Sequence, residues 1–338
     1  MTIYIFLKFY KINIMKRKNK KIFKWLINIV ILIFISYFIL NGDYLIIMNS
    51  LKKISNKEIF ILVIIGSLYY FLQCFCQFFL IRNLNMSHAF KKSFDITAIG
   101  FVGNATTSSL GTIPLQCYYW YKCNESYCKG LSISFINMIF HKIAVCLNVI
   151  FAVFIGYGWM EKILNVNVIK IGWGVNFFLI LILYLLVSNK KCSNFCIKLF
   201  SKIFNLKRFK KDIEDIFIYS KELALNFKSN ILIIICAIFK IIFLCNIPYV
   251  CFQVIGFNAI SYMQSYVITS IVILMSTFLP SVSGIGPVEG AFLFYFLAFL
   301  NKEYVISALI LFRITSYFWP LFFSLLDFVF IQKNVFYK

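Results

Sequence analysis

The sequence predicts an all-α polytopic membrane protein with about eight transmembrane helices, some of them re-entrant or broken. Hydrophobic residues make up 62% of the 338 residues and only 14% are charged. A water-soluble domain of this size cannot bury so much apolar surface. Long apolar windows recur along the chain, and two glycine- and proline-containing segments interrupt the pattern, which together indicate this fold class.

The spans follow from apolar windows of about 20 residues, the length that a helix needs to cross the hydrocarbon core. The window at 288–300 is too short to cross upright, so we expect a half-span or a tilted helix that begins inside the bilayer. Residues 94–116 are semi-apolar and rich in Gly, Ser, Thr and Asn, which predicts a re-entrant segment. The predicted spans are 24–40, 59–81, 131–157, 171–188, 231–252, 262–279, 288–300 and 304–331.

The basic loops predict the orientation, because Lys and Arg accumulate on the cytoplasmic side. Basic residues cluster in 15–24 and 189–230, which four spans separate, so both segments and both termini are expected in the cytoplasm. The excess of 34 Lys+Arg over 12 Asp+Glu lies in loops that flank apolar spans. It therefore favours an anionic lipid surface and not nucleic acid, although the base composition of an AT-rich genome also explains part of it.

The basic linker divides the predicted membrane region into two halves. Within it, residues 211–227 have helical periodicity and mixed charge, typical of a helix on the cytoplasmic face. The predicted order is a basic N-terminus (1–23), a first half of four spans with the re-entrant segment (24–188), the linker (189–230), a second half (231–331) and a cytoplasmic tail (332–338).

Each half contains one broken apolar segment, GNATTSSLGTIPLQ at 103–116 and LPSVSGIGPVEGAF at 279–292. Paired interruptions are typical of a transporter built from two repeats, with its substrate site between them. Pro287 suits a helix N-terminus, whose free N–H groups would face the site and stabilise Glu289. The alternative is a buried interhelical turn. The predicted helix breakers are Gly103, Gly111, Pro114, Pro280, Gly284, Gly286 and Pro287.

Polar residues within the spans are the best candidates for substrate contacts, because burying them is costly. Arg313 and Tyr317 share a helix face, and Glu289 is the natural partner of Arg313; an Arg fork also matches a phosphate. Asp327, near the end of the last span, is expected to be solvated. Further candidates are Lys240, Lys142 and the polar stripe Ser134, Asn137, His141 and Asn148, which could equally be hydrogen-bonding glue between helices.

Catalytic signals are absent from the sequence. Its two histidines and 11 cysteines form none of the motifs of metalloproteases, serine hydrolases, phosphate-binding loops or zinc sites. We therefore predict no catalytic residues, no metal and no cofactor.

Three elements resemble motifs of the lysylphosphatidylglycerol synthase transmembrane region, also called the flippase-like domain. They are IPLQCYYWYKCNES at 113–126, the segment at 279–292, and LFRITSYFWP at 311–320, in the family's order. The first matches a family pattern that places Gln116 and Tyr119 among the candidate substrate contacts. Thr112 replaces a family glycine and is expected to limit close backbone approach there, and Phe312 replaces a Trp.

The resemblance implies a bacterial cytoplasmic-membrane protein that moves lipids between leaflets. Its best-known cargo is aminoacylated phosphatidylglycerol, such as lysylphosphatidylglycerol, whose export protects against cationic antimicrobial peptides. In full-length members a soluble domain transfers lysine from lysyl-tRNA, and this sequence ends seven residues after its last predicted span. The alternatives are the membrane component of a phosphatidylglycerol lysyltransferase with a separate synthase subunit, or a non-transporting scaffold. Phospholipids are the expected partners, and a homo-oligomer is compatible with the sequence.

Overall fold

The computed structural model describes residues 51–52, 54–107, 112–160, 166–188, 210–277 and 286–336. Every described residue belongs to one compact unit of the chain, Ser50–Lys338. The predicted span at 24–40 and the helix breakers Gly111, Pro280 and Gly284 lie outside the described residues, as does the first part of the basic linker.

Every element in the described residues is a helix, which confirms the predicted all-α class. The last helix is continuous but contains two π-helical segments, Ile314–Phe318 and Gln332–Phe336. The helices are α1 (Asn56–Asn83), α2 (Ala89–Thr107), α3 (Thr112–Lys122), α4 (Tyr127–Met160), α5 (Val166–Ser188), α6 (Lys210–Leu225), α7 (Phe227–Val254), α8 (Tyr262–Ser276), α9 (Pro287–Phe296) and α10 (Lys302–Phe336).

Four helices in the described residues, α1, α4, α7 and α10, are long and apolar enough to cross a membrane. They contain the predicted spans 59–81, 131–157, 231–252 and 304–331. The apolar stretches of α5 and α8 are shorter, Lys170–Ile182 and Tyr262–Ser276, and α9 has 10 residues. The total of eight spans therefore stays a prediction.

Capping boxes explain where α1 and α8 begin. The Ser55 hydroxyl accepts a hydrogen bond from the Glu58 backbone N–H at 3.4 Å, and a Glu58 carboxylate oxygen accepts from the Ser55 N–H at 2.7 Å. Ser261 and Gln264 repeat the arrangement, with distances of 3.2 and 3.0 Å. Each box satisfies two backbone donors that a helix N-terminus would otherwise leave without partners.

The helices pack around two apolar cores. One core joins α4, α7, α8 and α9 to the first turns of α10. The other joins the end of α1 to α2, α3 and the first half of α4. Large apolar side chains also point outwards, and Phe154 and Phe294 are 84% and 71% exposed. An apolar exterior of this kind is suited to lipid and not to water.

Several helix ends lie together at one end of the bundle. The Ser229 hydroxyl in α7 donates to Asn83 Oδ1 at the end of α1, at 2.6 Å. The Ser132 hydroxyl near the start of α4 donates to the Ile216 carbonyl of α6 at 2.8 Å. The charge pattern assigned residues 189–230 to the cytoplasmic side, and counting the predicted spans puts the end of α1 and the start of α4 on the same side. That this end is cytoplasmic stays a prediction.

The predicted re-entrant segment covers most of α2 and the start of α3. The two helices approach closely at Gly103, where an added Cβ would lie 2.7 Å from Thr112 Oγ1 and 2.8 Å from Thr112 Cα. The expectation that Thr112 would limit close backbone approach was wrong. Gly103 on the facing helix has no side chain, and this leaves room for Thr112. At the far end of α3, the Tyr118 ring lies 4.9 Å from the Phe336 ring of α10.

Candidate functional site

The amino end of α9 carries the predicted carboxylate. Gly286 has a φ of +116°, which an L-residue with a side chain rarely adopts, and Pro287 is the first helical residue. The Glu289 carboxylate folds back and accepts the Gly286 N–H at 2.7 Å. The acid therefore neutralises the positive end of the helix dipole.

Arg313 of α10 forms the predicted ion pair with Glu289. Its Nε lies 2.5 Å from Glu289 Oε1, and the two side chains are 12% and 13% exposed. The guanidinium carbon lies 5.5 Å from the centre of the Tyr317 ring. The first π-helical segment begins directly after Arg313. Such segments are frequent at functional sites, because they displace side chains from the regular helical positions.

Lys142 of α4 lies at the carboxyl end of α8. Its ammonium donates to the Thr277 carbonyl at 3.1 Å and to Asn176 Oδ1 at 3.4 Å. The Thr277 hydroxyl also donates to Asn176 Oδ1, at 3.0 Å. A cation here complements the negative end of the α8 dipole. Among the described residues, Lys142 thus binds neutral oxygens.

Lys240 of α7 is 2% exposed, and its ammonium donates to Gln73 Oε1 of α1 at 2.9 Å. Two turns earlier on α1, an added Cβ at Gly66 would lie 2.6 Å from the Thr315 carbonyl of α10. Residues seven apart share a helix face, so α7 at Lys240 and α10 at Thr315 pack against the same face of α1.

Two members of the polar stripe on α4 hold helices together. The Ser134 hydroxyl donates to Gln116 Oε1 of α3 at 2.9 Å. The Asn148 amide donates to Ser270 at 2.9 Å and accepts from the Tyr266 hydroxyl at 2.5 Å. At these positions the structure supports interhelical hydrogen bonding.

The middle of the stripe differs. The Nδ1 atom of His141 is buried with no hydrogen-bond partner among the described residues. Asn137, one turn away, is partly buried. The His141 Nδ1 atom therefore remains available for a contact that the described residues do not supply.

The structure does not bring all the predicted site residues together. Tyr119 is 1% exposed and donates to Asp95 Oδ2 at 2.6 Å, in the core formed by α2 and α3. Sequence reasoning also missed Gln73 and Asn176, which hold the two buried lysines. An isolated amide in an apolar window was the signal that could have identified each of them.

Asp327 is less exposed to solvent than the sequence predicted. It is only partly exposed, and its Oδ2 is buried without a hydrogen-bond partner among the described residues. The side chain is therefore not solvated as predicted, because α1 and α2 pack against this part of α10.

Two comparisons relate the chain to known proteins. A search of the curated proteins found no match to the chain. The family model of the lysylphosphatidylglycerol synthase TM region matches residues 22–324, a range that includes Lys142, Lys240, Glu289 and Arg313. The chain therefore belongs to the family of the lysylphosphatidylglycerol synthase transmembrane region.

Proposed function

We propose that this protein is a flippase-like transporter that moves phospholipid between the leaflets of the bacterial cytoplasmic membrane. Its proposed cargo is aminoacylated phosphatidylglycerol, such as lysylphosphatidylglycerol, and its export would contribute to resistance to cationic antimicrobial peptides. One observation carries the proposal. Among the described residues, Lys142 lies at the carboxyl end of α8, Arg313 pairs with Glu289 at the amino end of α9, and Lys240 is buried on α7.

An interior with more cations than carboxylates suits the phosphate of a lipid headgroup. A phosphate that crosses hydrocarbon unaided loses its hydration, which is very costly. Fixed ammonium and guanidinium groups offset that loss, and so do the free N–H groups in the first turn of α9. Neither Lys142 nor Lys240 has a carboxylate partner among the described residues, so neither would have to break an ion pair to meet a phosphate.

Release is as important as binding, and the Glu289–Arg313 pair supplies a competitor. The Arg313 guanidinium can form a bidentate contact with a phosphate, but in the resting state Glu289 occupies it at 2.5 Å. A headgroup would exchange with Glu289, which keeps its bond to the Gly286 N–H. Reformation of the ion pair then displaces the lipid.

We also propose how the chain is arranged in the membrane. Eight spans place both termini in the cytoplasm, α2 and α3 form a re-entrant hairpin, and the two halves are related as repeats. In support, the segments assigned to the cytoplasmic side share one end of the bundle.

Leaflet-resolved lipid analysis tests the function. Intact cells with wild-type protein, Arg313→Ala or no protein are labelled with an amine reagent that does not cross the membrane, and total aminoacylated lipid is measured in parallel. We expect Arg313→Ala to abolish outer-leaflet labelling while total lipid stays constant. Arg82→Ala, at an exposed position in the last turn of α1, is the control and should behave as wild type.

The same measurement separates the alternatives. A fall in total aminoacylated lipid at a constant leaflet ratio would show that the protein supports synthesis with a separate synthase. Unchanged lipid in both measurements would indicate a non-transporting scaffold. Either outcome contradicts the transport proposal.

A further inference from the structure

A groove of about 490 Å³ opens between α1, α2 and α10. This volume is within the range of small-molecule sites. Three of its aromatic side chains, Phe71, Phe90 and Phe330, are 46%, 57% and 63% exposed on the outer surface of the bundle, where lipid would contact them. Tyr70, Phe94 and Phe323 complete the aromatic wall.

The polar groups of the groove carry mostly negative charge. Asp95, Asp327, Lys91 and Ser67 line it. Asp95 is 3% exposed, and Tyr119 donates to only one of its oxygens. Asp327 Oδ2 is buried with no donor among the described residues. A buried carboxylate oxygen without a donor is costly, so a cationic or N–H group bound in the groove would be favoured.

We propose that this groove binds the headgroup of an aminophospholipid. Its ammonium group would contact Asp95 and Asp327, its phosphate would contact Lys91, and its acyl chains would lie along the aromatic wall. Two carboxylates and one lysine complement a headgroup with one phosphate and one or two ammonium groups. They disfavour a headgroup that carries only a phosphate. Aromatic faces also attract ammonium groups.

The position of the groove links it to the interior site, and in this respect the inference rests on the proposed function. Phe90 and Phe330 belong to the first turn of α2 and the last turns of α10, at the end of the bundle where α6 lies. Ser67, at the other end of the groove, accepts a hydrogen bond from Trp319 Nε1 at 3.0 Å. An added Cβ at the adjacent Gly66 would lie 2.6 Å from the Thr315 carbonyl, two residues after Arg313. The groove thus ends at the α1–α10 contact beside the interior site.

Lipid retention tests the groove directly. Full-length protein in nanodiscs with equal amounts of phosphatidylethanolamine and phosphatidylglycerol is released into the gas phase, and its bound lipids are quantified by native mass spectrometry. We expect wild type to prefer phosphatidylethanolamine by about tenfold, the effect of one charge-assisted hydrogen bond. Lysylphosphatidylglycerol, with two ammonium groups, should compete better still. Equal retention of the two lipids by the wild type would overturn the inference.

Variants test whether the groove causes the preference for phosphatidylethanolamine. Asp327→Asn should bring the ratio close to one, whereas Asp327→Glu should retain it. Asp215→Asn removes a carboxylate from α6, outside the groove, and should change nothing. If Asp327→Asn does not fold, Lys91→Glu at an exposed position tests the same charge balance and should raise the ratio. An unchanged ratio in either variant contradicts the assignment.

The experiments distinguish failure of the groove as a lipid-binding site from failure of the proposed transport function. Arg313→Ala should abolish transport but leave the retention ratio as in the wild type. A preference without transport would refute only the proposed function, and transport without a preference would refute only the groove. A photo-reactive residue at Phe330 identifies the occupant. Cross-linking to residues 1–49 in place of lipid would show that the chain's own N-terminal segment fills the groove, and would also overturn the inference.

Discussion

Neutralising the Glu289–Arg313 pair is the sharpest test of the interior site. With side chains 12% and 13% exposed, the pair is largely buried, unlike surface pairs, which contribute at most about 1 kcal/mol. Removing one partner of a buried pair costs about 3–5 kcal/mol, because the other charge stays buried. Each survivor retains a second contact, Glu289 with the Gly286 N–H and Arg313 with the Tyr317 ring. We therefore expect the lower end, about 3 kcal/mol for Glu289→Gln or Arg313→Gln.

The double variant, Glu289→Gln with Arg313→Gln, tests whether the two side chains form a pair. With both charges removed, no unpaired charge remains, so we expect the double variant to lose less than either single variant, below about 3 kcal/mol, where additivity would require about 6 kcal/mol. The free energy of unfolding is measured by detergent titration in mixed micelles, followed by circular dichroism. Arg82→Gln at an exposed position is the control and should change stability by less than about 0.5 kcal/mol. Additive losses would refute the pairing.

Three further predictions concern other parts of the fold. Gly103→Ala should destabilise the protein by about 1–3 kcal/mol, because the new Cβ meets the facing helix; Gly100→Ala on the same helix, with nothing within 4 Å, should not, as thermal melting would show. Burial disfavours the charged form of Glu125, but hydrogen bonds from Lys92 and Ser87 outweigh it and lower the pKa of the carboxyl. Glu125→Gln should therefore lose stability at neutral pH, and the difference from wild type should vanish as pH falls through that lowered pKa; a difference independent of pH would contradict this. Lys221→Cys, exposed on α6 in a background without other cysteines, should resist an impermeant thiol reagent in intact cells; ready labelling would reverse the topology.

The chemistry of single residues was predictable where a residue was unusual for its surroundings. Glu289 and Arg313 are opposite charges in apolar windows, and burial forces such charges to pair. Pro287 marked the start of α9 because proline suits the first helical position. In both cases the local sequence contains the whole argument, so no knowledge of the packing was needed.

Contacts that depend on packing were not predictable. The partner of Lys240 is Gln73, 167 positions away in the sequence, and only the α1–α7 contact brings them together. Asp327 was expected in water, but the helices that bury its Oδ2 come from the other half of the chain. The close approach at Thr112 likewise depends on Gly103 across the helix pair.

The two buried lysines have a consequence for electrical insulation. A membrane protein with polar groups across its interior risks conducting Na⁺, K⁺ or protons down the membrane potential. Lys142 and Lys240 place positive charge at depth, with only neutral oxygens as partners among the described residues, where screening by water and salt is weak. Small inorganic cations would meet a repulsive field there. We expect that a cell could keep such a protein in its membrane at high copy number without dissipating its proton motive force.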